Sequence, residues 1–231
     1  MLKDYLTKRS ILCIQTTNNK QQTTNNKQQT TNNKQQTTNF KTLTLPQIYE
    51  YVKSDYRRYG ETPKFFKIML NVLLGRNHCF VFSFWLRMCY SKNIVIHIIA
   101  RMMYKKYFRK YGLQISFKTK IGYGLYIGHG IGIIISPSAK IGNNCNLSQF
   151  TTIGTNHKKS AIIGDNVYIG PSVCIVEDVN IGNNVSIGAG AVVVKDVPEN
   201  ATVAGVPAKI LNYNNPGRYV NNRWERNENK I

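Results

Sequence analysis

Residues 163–193 read IGDNVYIGPSVCIVEDVNIGNNVSIGAGAVV. An aliphatic residue opens each hexad, at Ile163, Ile169, Ile175, Ile181, Ile187 and Val193, and glycine follows four of the six. The same spacing runs upstream through Ile115, Ile121 and Ile127, then Ile135, Ile141, Leu147 and Ile153. A period of six is neither that of an amphipathic helix nor that of a half-buried strand, so the hexad is itself the structural unit. One short extended side and a turn consume six residues. Three sides close a triangular coil with one aliphatic side chain per side facing inward, and stacked coils share backbone hydrogen bonds around a continuous apolar core. Asn and Asp sit beside Gly where the corners fall (Gly142-Asn143-Asn144, Gly164-Asp165-Asn166, Gly182-Asn183-Asn184). These residues accept turn conformations that β-branched residues resist. Thirteen hexads at three per coil predict a mainly β chain of a little over four coils. An ordinary β-sandwich is the competing architecture.

The ladder slips by two residues after Ile127 and by four after Ile153, and each slip carries a histidine, His129 and His157. A regular scaffold interrupted where reactive side chains occur is the pattern of a site built on a repeat. Gly128, Gly130 and Gly132 let the His129 loop approach a ligand, and their N–H groups are candidate oxyanion donors.

The 231 residues carry 31 Lys and Arg against 11 Asp and Glu, a net charge of +20. Residues 1–43 hold +6 of it, 44–112 hold +10, the ladder at 113–211 holds +2 and 212–231 hold +2. Basic charge of this kind meets phosphates on nucleic acid, anionic lipid or a phosphorylated substrate, or is simply solvated. No recognition motif accompanies it, so nucleic-acid binding is not expected. Five cysteines (Cys13, Cys79, Cys89, Cys145, Cys174) form no CxxC pair, which fits reduced thiols in the cytoplasm. A nucleophilic role for Cys145 or Cys174 is not expected.

Four regions follow. Residues 1–43 contain three copies of TTNNKQQ, a heptad with no apolar position to bury; they read as a disordered insertion or as a sign that the natural start lies downstream. Residues 44–112 form a basic helical lobe, with Pro46 in a first turn and Pro63 opening a helix after the Gly60 break. Its apolar runs at 79–90 and 94–104 are too short to span a bilayer. Arg87, Arg101, Lys105, Lys106, Arg109 and Lys110 among aromatic and aliphatic residues suit either internal packing or contact with an anionic membrane. Residues 113–211 are the ladder, and 212–231 a polar tail around Trp224.

The phrase Gly124-Leu125-Tyr126-Ile127-Gly128-His129-Gly130 and the closing motif Ala204-Gly205-Val206-Pro207-Ala208-Lys209, preceded by Lys195-Asp196-Val197-Pro198, lie on this ladder. With them the chain resembles the hexapeptide-repeat acyltransferases, and more narrowly their serine acetyltransferase-like branch, over about residues 44 to 211. The resemblance implies a left-handed parallel β-helix, acetyl-CoA as acyl donor, no metal, and a homotrimer that binds coenzyme A between subunits. It makes His129 the catalytic base. Where the family carries an aspartate fifteen residues earlier, this chain has Gln114, which can orient one imidazole tautomer without bringing charge. Where the serine-specific members carry an aspartate just before the histidine, this chain has Gly128. The family's second substrate-contacting histidine falls on Ser160, with His157 three residues early; both are candidate acceptor contacts. Gly170, Ala189 and Gly190 resemble the positions that line the pantetheine arm, and Lys195 and Lys209 those that meet the nucleotide phosphates.

Both missing aspartates remove negative charge from the site of a substrate ammonium. The expectation is therefore a cytoplasmic O-acetyltransferase acting on a sugar in surface-polysaccharide synthesis, peripheral at the membrane's inner face if the basic lobe meets lipid. The alternatives are a serine O-acetyltransferase of cysteine biosynthesis and an inactive scaffold binding a partner through that lobe. A metal-dependent β-helix enzyme of the carbonic anhydrase type needs three imidazoles, and the ladder has two.

Overall fold

The structure, a computed structural model, describes residues 43–225; the repeats before them and the last residues of the tail lie outside that range. Among the described residues four helices come first. Helix α1 (Leu45–Arg57) starts with Pro46 in its first turn and with the Gln47 side chain accepting from the Thr44 amide at 2.9 Å. Helix α2 (Phe65–Leu74) ends on Gly75 in the left-handed region. Helix α3 (His78–Met88) and helix α4 (Ile94–Tyr111) begin at Asn77 and Asn93, whose side chains accept amide hydrogen bonds from their first turns. These caps satisfy N–H groups that a helix start leaves open.

The ladder then winds into a parallel β-helix. The first sheet holds β1 (Gln114–Ile115), β4 (Ile134–Ile135), β7 (Thr152–Gly154), β10 (Cys174–Val176) and β13 (Val192–Val193). The second holds β2 (Lys120–Ile121), β5 (Lys140–Ile141), β8 (Ile162–Ile163) and β11 (Asn180–Ile181). The third holds β3 (Tyr126–Ile127), β6 (Asn146–Leu147), β9 (Tyr168–Ile169), β12 (Ser186–Ile187), β14 (Thr202–Ala204) and β15 (Lys209–Asn212). Each coil thus gives one strand to each sheet. The hexad residues stack in register, Ile115 on Ile135 on Ile153 on Ile175 on Val193, and all five are buried. Both slips are absorbed in loops without disturbing this register. Among the described strands only β15 runs antiparallel, so the closing motif is a hairpin at the end of the solenoid.

One corner is built by asparagines. Asn144, Asn166, Asn184 and Asn200 all take positive φ, and the Asn166 and Asn184 side chains each donate to the next in line, at 3.1 and 3.0 Å. Gly142 opens the same corner on its coil, where a Cβ would press on the Gly164 backbone of the next coil. Only glycine permits that approach.

The helical lobe is fastened to the first coil by a buried polar network that the sequence did not disclose. Arg87 is buried and grips Asp55 with Nε (2.9 Å) and Nη2 (3.0 Å), while also donating to the Ile121 and Gly122 carbonyls. Asp55 further accepts from Ser83 Oγ (2.6 Å) and the Leu125 amide (2.8 Å). Arg58 donates to the Gly124 carbonyl and to Asn146 Oδ1. Arg87 is therefore not among the cations available to a membrane, because it is buried against Asp55 of α1. No helix among the described residues is long and apolar enough to cross a bilayer.

The tail is also more tightly held than its composition suggests. It runs back over the asparagine corner: Gly217 donates to the Asn184 carbonyl, the Asn146 side chain to the Tyr219 carbonyl, and Trp224 and Asn144 exchange two hydrogen bonds. Val220 is buried beneath it.

Candidate active site

The residues singled out in the sequence sort onto two corners that bound the first sheet. Where the chain passes from the third sheet to the first, successive coils stack Gly128, Ser148, Gly170 and Gly188. Each donates its amide to the next coil, at 2.8, 3.2, 3.0 and 2.8 Å. The His129 loop opens from the first of these, and Gly170, Ala189 and Gly190 lie two and three coils further on, roughly 10 to 14 Å away at the usual strand spacing. Lys209 ends the same column, paired with Ala204 in the closing hairpin. Where the chain passes from the first sheet to the second stand His157, Ser160 and Lys195. His129 and His157 therefore belong to opposite edges of one sheet. The outward residues of that sheet, Gln114, Ile134, Thr152, Cys174 and Val192, lie side by side between them.

His129 is exposed at φ 49, and its ring bonds to no protein group among the described residues. Its loop is fixed from beneath by the helical lobe. Gly130 N donates to Cys79 Sγ at 3.1 Å, Gly132 N to the Tyr111 carbonyl at 3.0 Å, and the Tyr59 hydroxyl meets the Ile127 backbone. This overturns the assignment of the three glycine amides as oxyanion donors. Gly128, Gly130 and Gly132 all spend their N–H groups inside the protein, which is what holds the loop in place. The neighbouring amides of His129 and Ile131 are the ones that donate to no protein group among the described residues.

Gln114 is set beside this loop by its amide, which donates to the Ile133 carbonyl at 2.7 Å, but its side chain is not hydrogen-bonded to His129. Phe150 was not anticipated. It takes φ 59, donates its amide to the Ile131 carbonyl, and packs its ring where a Cβ on Gly132 would stand. Ile131, Ile134 and Phe150 are all exposed and give His129 an apolar rim. A large aromatic in a corner otherwise built of small and polar residues was the available signal.

On the opposite edge, His157 Nε2 lies 3.6 Å from Glu177 Oε2. Glu177 accepts from Thr155 Oγ1 at 2.7 Å and from the Asn156 amide at 3.4 Å. The Thr155 hydroxyl, then the Asn156 amide and His157, hold the Glu177 carboxyl below its ordinary range, against the opposing effect of burial. Glu177 went unnoticed in the sequence because it lies twenty residues from His157 and meets it only through coil stacking. Ser160 is buried with an unpartnered Oγ.

Gly170 and Gly190 differ in kind. A Cβ on Gly170 would stand 2.8 Å from the Ile187 carbonyl oxygen, so it is glycine for packing. A Cβ on Gly190, at φ 69, would meet nothing within 4 Å, and Ala189 beside it is exposed. The column thus opens at Ala189–Gly190. Lys209 is exposed near its end, and Lys195 is exposed on the opposite edge of the first sheet. Cys145 is buried in the coil and its thiol is pushed up to about 12 by burial, as is that of Cys89. Both are inert at neutral pH. Among the described residues no three His, Cys, Asp or Glu side chains gather as a metal site would need.

A triangular β-helix with a histidine loop at one corner and an open glycine column beneath it defines a hexapeptide-repeat transferase. Residues 160–195 match the bacterial transferase hexapeptide family (six repeats). The serine acetyltransferase of Staphylococcus xylosus is 33% identical over 133 residues, 50% of this chain and 61% of that protein. That of Synechococcus elongatus is 36% identical over 104 residues, 43% of each. The crystal structure of Neisseria gonorrhoeae serine acetyltransferase in complex with serine superposes with a TM-score of 0.56 at 31% identity, covering 71% of this chain and 69% of that one. The chain spans about three-fifths of the Staphylococcus relative it matches. It belongs to the hexapeptide-repeat acyltransferases, in the serine acetyltransferase branch, and its fold is the left-handed parallel β-helix of that family.

Proposed function

We propose that this chain transfers an acetyl group from acetyl-CoA to the hydroxyl of serine. The observation that carries the reading is the exposed, unengaged His129 ring at the head of a column that opens at Ala189–Gly190. His129 takes the proton of the acceptor hydroxyl as its oxygen attacks the thioester carbonyl. The carbonyl oxygen becomes an oxyanion beside the amides of His129 and Ile131. Collapse of the tetrahedral intermediate breaks the C–S bond and releases the coenzyme A thiolate, which takes the proton back from the imidazolium. Turned toward the loop beside which its backbone is set, the Gln114 side chain would orient the ring through its carbonyl oxygen. Lys209 and Lys195 meet the donor's phosphates.

Because His129 and His157 occupy opposite edges of one sheet, a site using both is completed by the neighbouring subunit of a homotrimer. There Glu177, beside His157, supplies a carboxylate for the serine ammonium that Gln114 and Gly128 do not. Relatives named serine acetyltransferase support serine over the sugar acceptor expected from the sequence. One observation favours a neutral hydroxyl acceptor as a second reading: no Asp or Glu occurs between Glu61 and Asp165, so this chain's own His129 loop is free of nearby sequence carboxylates.

Thiol release from acetyl-CoA, followed with L-serine, with free and nucleotide-linked sugars, and with no acceptor, tests both. Release with serine and appearance of O-acetylserine is the expected result. Release only with a sugar would overturn serine as acceptor while leaving the chemistry intact, and no release with any acceptor would overturn the enzyme reading.

A further inference from the structure

We infer that the outer face of helix α4 docks on an anionic lipid surface. That face is divided along the helix axis. Its first half presents Ile94, Val95, Ile98, Ile99 and Met102, each about half to two-thirds exposed, over roughly 13 Å of helix. Its last two turns present Lys105, Lys106, Arg109 and Lys110, all exposed. Inward, the helix buries only Ala100 and Tyr104, so the division is confined to the outward face. Five exposed aliphatic side chains on one helix face solvent at a cost that a folded chain ordinarily avoids unless something covers them.

Charge decides what covers them. No acidic residue occurs between Glu61 and Asp165, and the one carboxylate within reach of the lobe's interior, Asp55, is taken by Arg87. A second copy of this face would set its lysines against lysines or aliphatic groups with no counter-ion, which electrostatics disfavours. Residues 1–43 carry +6 with a single acidic residue, so their sequence offers no counter-ions for these cations. An anionic bilayer satisfies both halves at once: acyl chains take the aliphatic side chains and headgroup phosphates take the cations. Stable attachment of a soluble domain requires two such signals together. This placement is independent of the acceptor assigned above, because none of these residues belongs to the two corners of the first sheet.

The test is flotation of the full chain with vesicles of phosphatidylcholine alone or with about one-third phosphatidylglycerol. Binding is expected on the anionic vesicles only. It should weaken steeply as ionic strength rises from about 0.1 M to about 1 M, where the screening length falls from about 10 to about 3 Å. The double variant Lys105→Gln/Lys106→Gln should lower the partition coefficient by about 30-fold, at about fivefold per cation. The double variant Ile98→Ser/Met102→Ser should lower it by about tenfold or more. All four side chains are exposed, so circular dichroism melting and thiol release should be unchanged in both variants and separate loss of docking from loss of fold. Equal binding to neutral vesicles, or equal binding by the variants, would overturn the inference. So would self-association without lipid that Ile98→Ser/Met102→Ser abolishes, which would assign the face to a second copy.

Discussion

Asp55→Ala should be the most damaging single substitution in the helical lobe. Asp55 is fully buried and accepts four hydrogen bonds: two from Arg87, one from Ser83 and one from the Leu125 amide of the first coil. Burial alone would lower the Arg87 pKa, yet the Asp55 charge outweighs it and leaves the guanidinium above its ordinary value. Removing Asp55 leaves burial unopposed, but a guanidinium keeps its proton in a protein, so Arg87 stays charged with only the Ile121 and Gly122 carbonyls and the face of the Tyr51 ring left to it. Breaking a buried pair in this way costs about 3–5 kcal/mol. For a domain of this size, 1 kcal/mol moves Tm by about 2–4 °C, so a loss of roughly 6–20 °C is expected. Arg87 shares α3 with Cys79, whose sulfur holds the Gly130 amide, so thiol release should fall as well. The companion variant Asp55→Ala/Arg87→Met should regain most of the stability, because an apolar pair of similar volume does not strand a charge. The assay is urea or thermal unfolding followed by circular dichroism. A loss below about 1 kcal/mol for Asp55→Ala, or no recovery in the double variant, would refute the account of how lobe and coil are joined.

Four other outcomes follow from the same geometry. His129→Ala should lower turnover by about 10²–10⁴ with little change in coenzyme A affinity, read from steady-state kinetics and calorimetric titration; an unchanged rate would remove His129 from the mechanism. Gly142→Ala, whose Cβ would press on the Gly164 backbone of the next coil, should cost about 1–3 kcal/mol or more in unfolding experiments. Gly190→Ala meets no neighbour but keeps a positive φ, so it should cost about 1–2 kcal/mol and raise KM for acetyl-CoA by occupying the opening of the column. Glu177 has a folded pKa below its unfolded one, so its contribution to holding the 155–177 corner is complete above the ordinary carboxylate range. That contribution is lost only as pH falls through the lowered value. Acid unfolding of Glu177→Gln should accordingly match the parent at low pH and fall short of it at neutral pH.

The coil count, the inward residue of every side and the places where the ladder opens are carried by local pattern. A hexad fixes which side chain faces inward without reference to any distant residue, so Ile115 through Val193 could be placed from spacing alone. The same holds for the His129 loop, because its two extra residues interrupt a period that is otherwise kept. The ends of α4 were less legible: the apolar run stops at Tyr104, but the helix continues to Tyr111 because Tyr104, Tyr107, Phe108 and Tyr111 pack on the coil.

What tertiary structure decided were the contacts between segments far apart in sequence. Arg87 read as one more basic residue in an aromatic run, and only the approach of α1 makes it half of a buried pair with Asp55. The glycine amides around His129 read as free donors, but the next coil engages that of Gly128 and the docking of α3 and the end of α4 engages those of Gly130 and Gly132. Glu177 and His157 are neighbours because the coil closes on itself once per turn, which brings residues twenty apart to adjacent rungs. A repeat encodes its own cross-section locally, since every rung solves the same packing problem. The partners of a polar side chain depend on which rung or helix comes to lie against it, and that is settled only when the chain is folded.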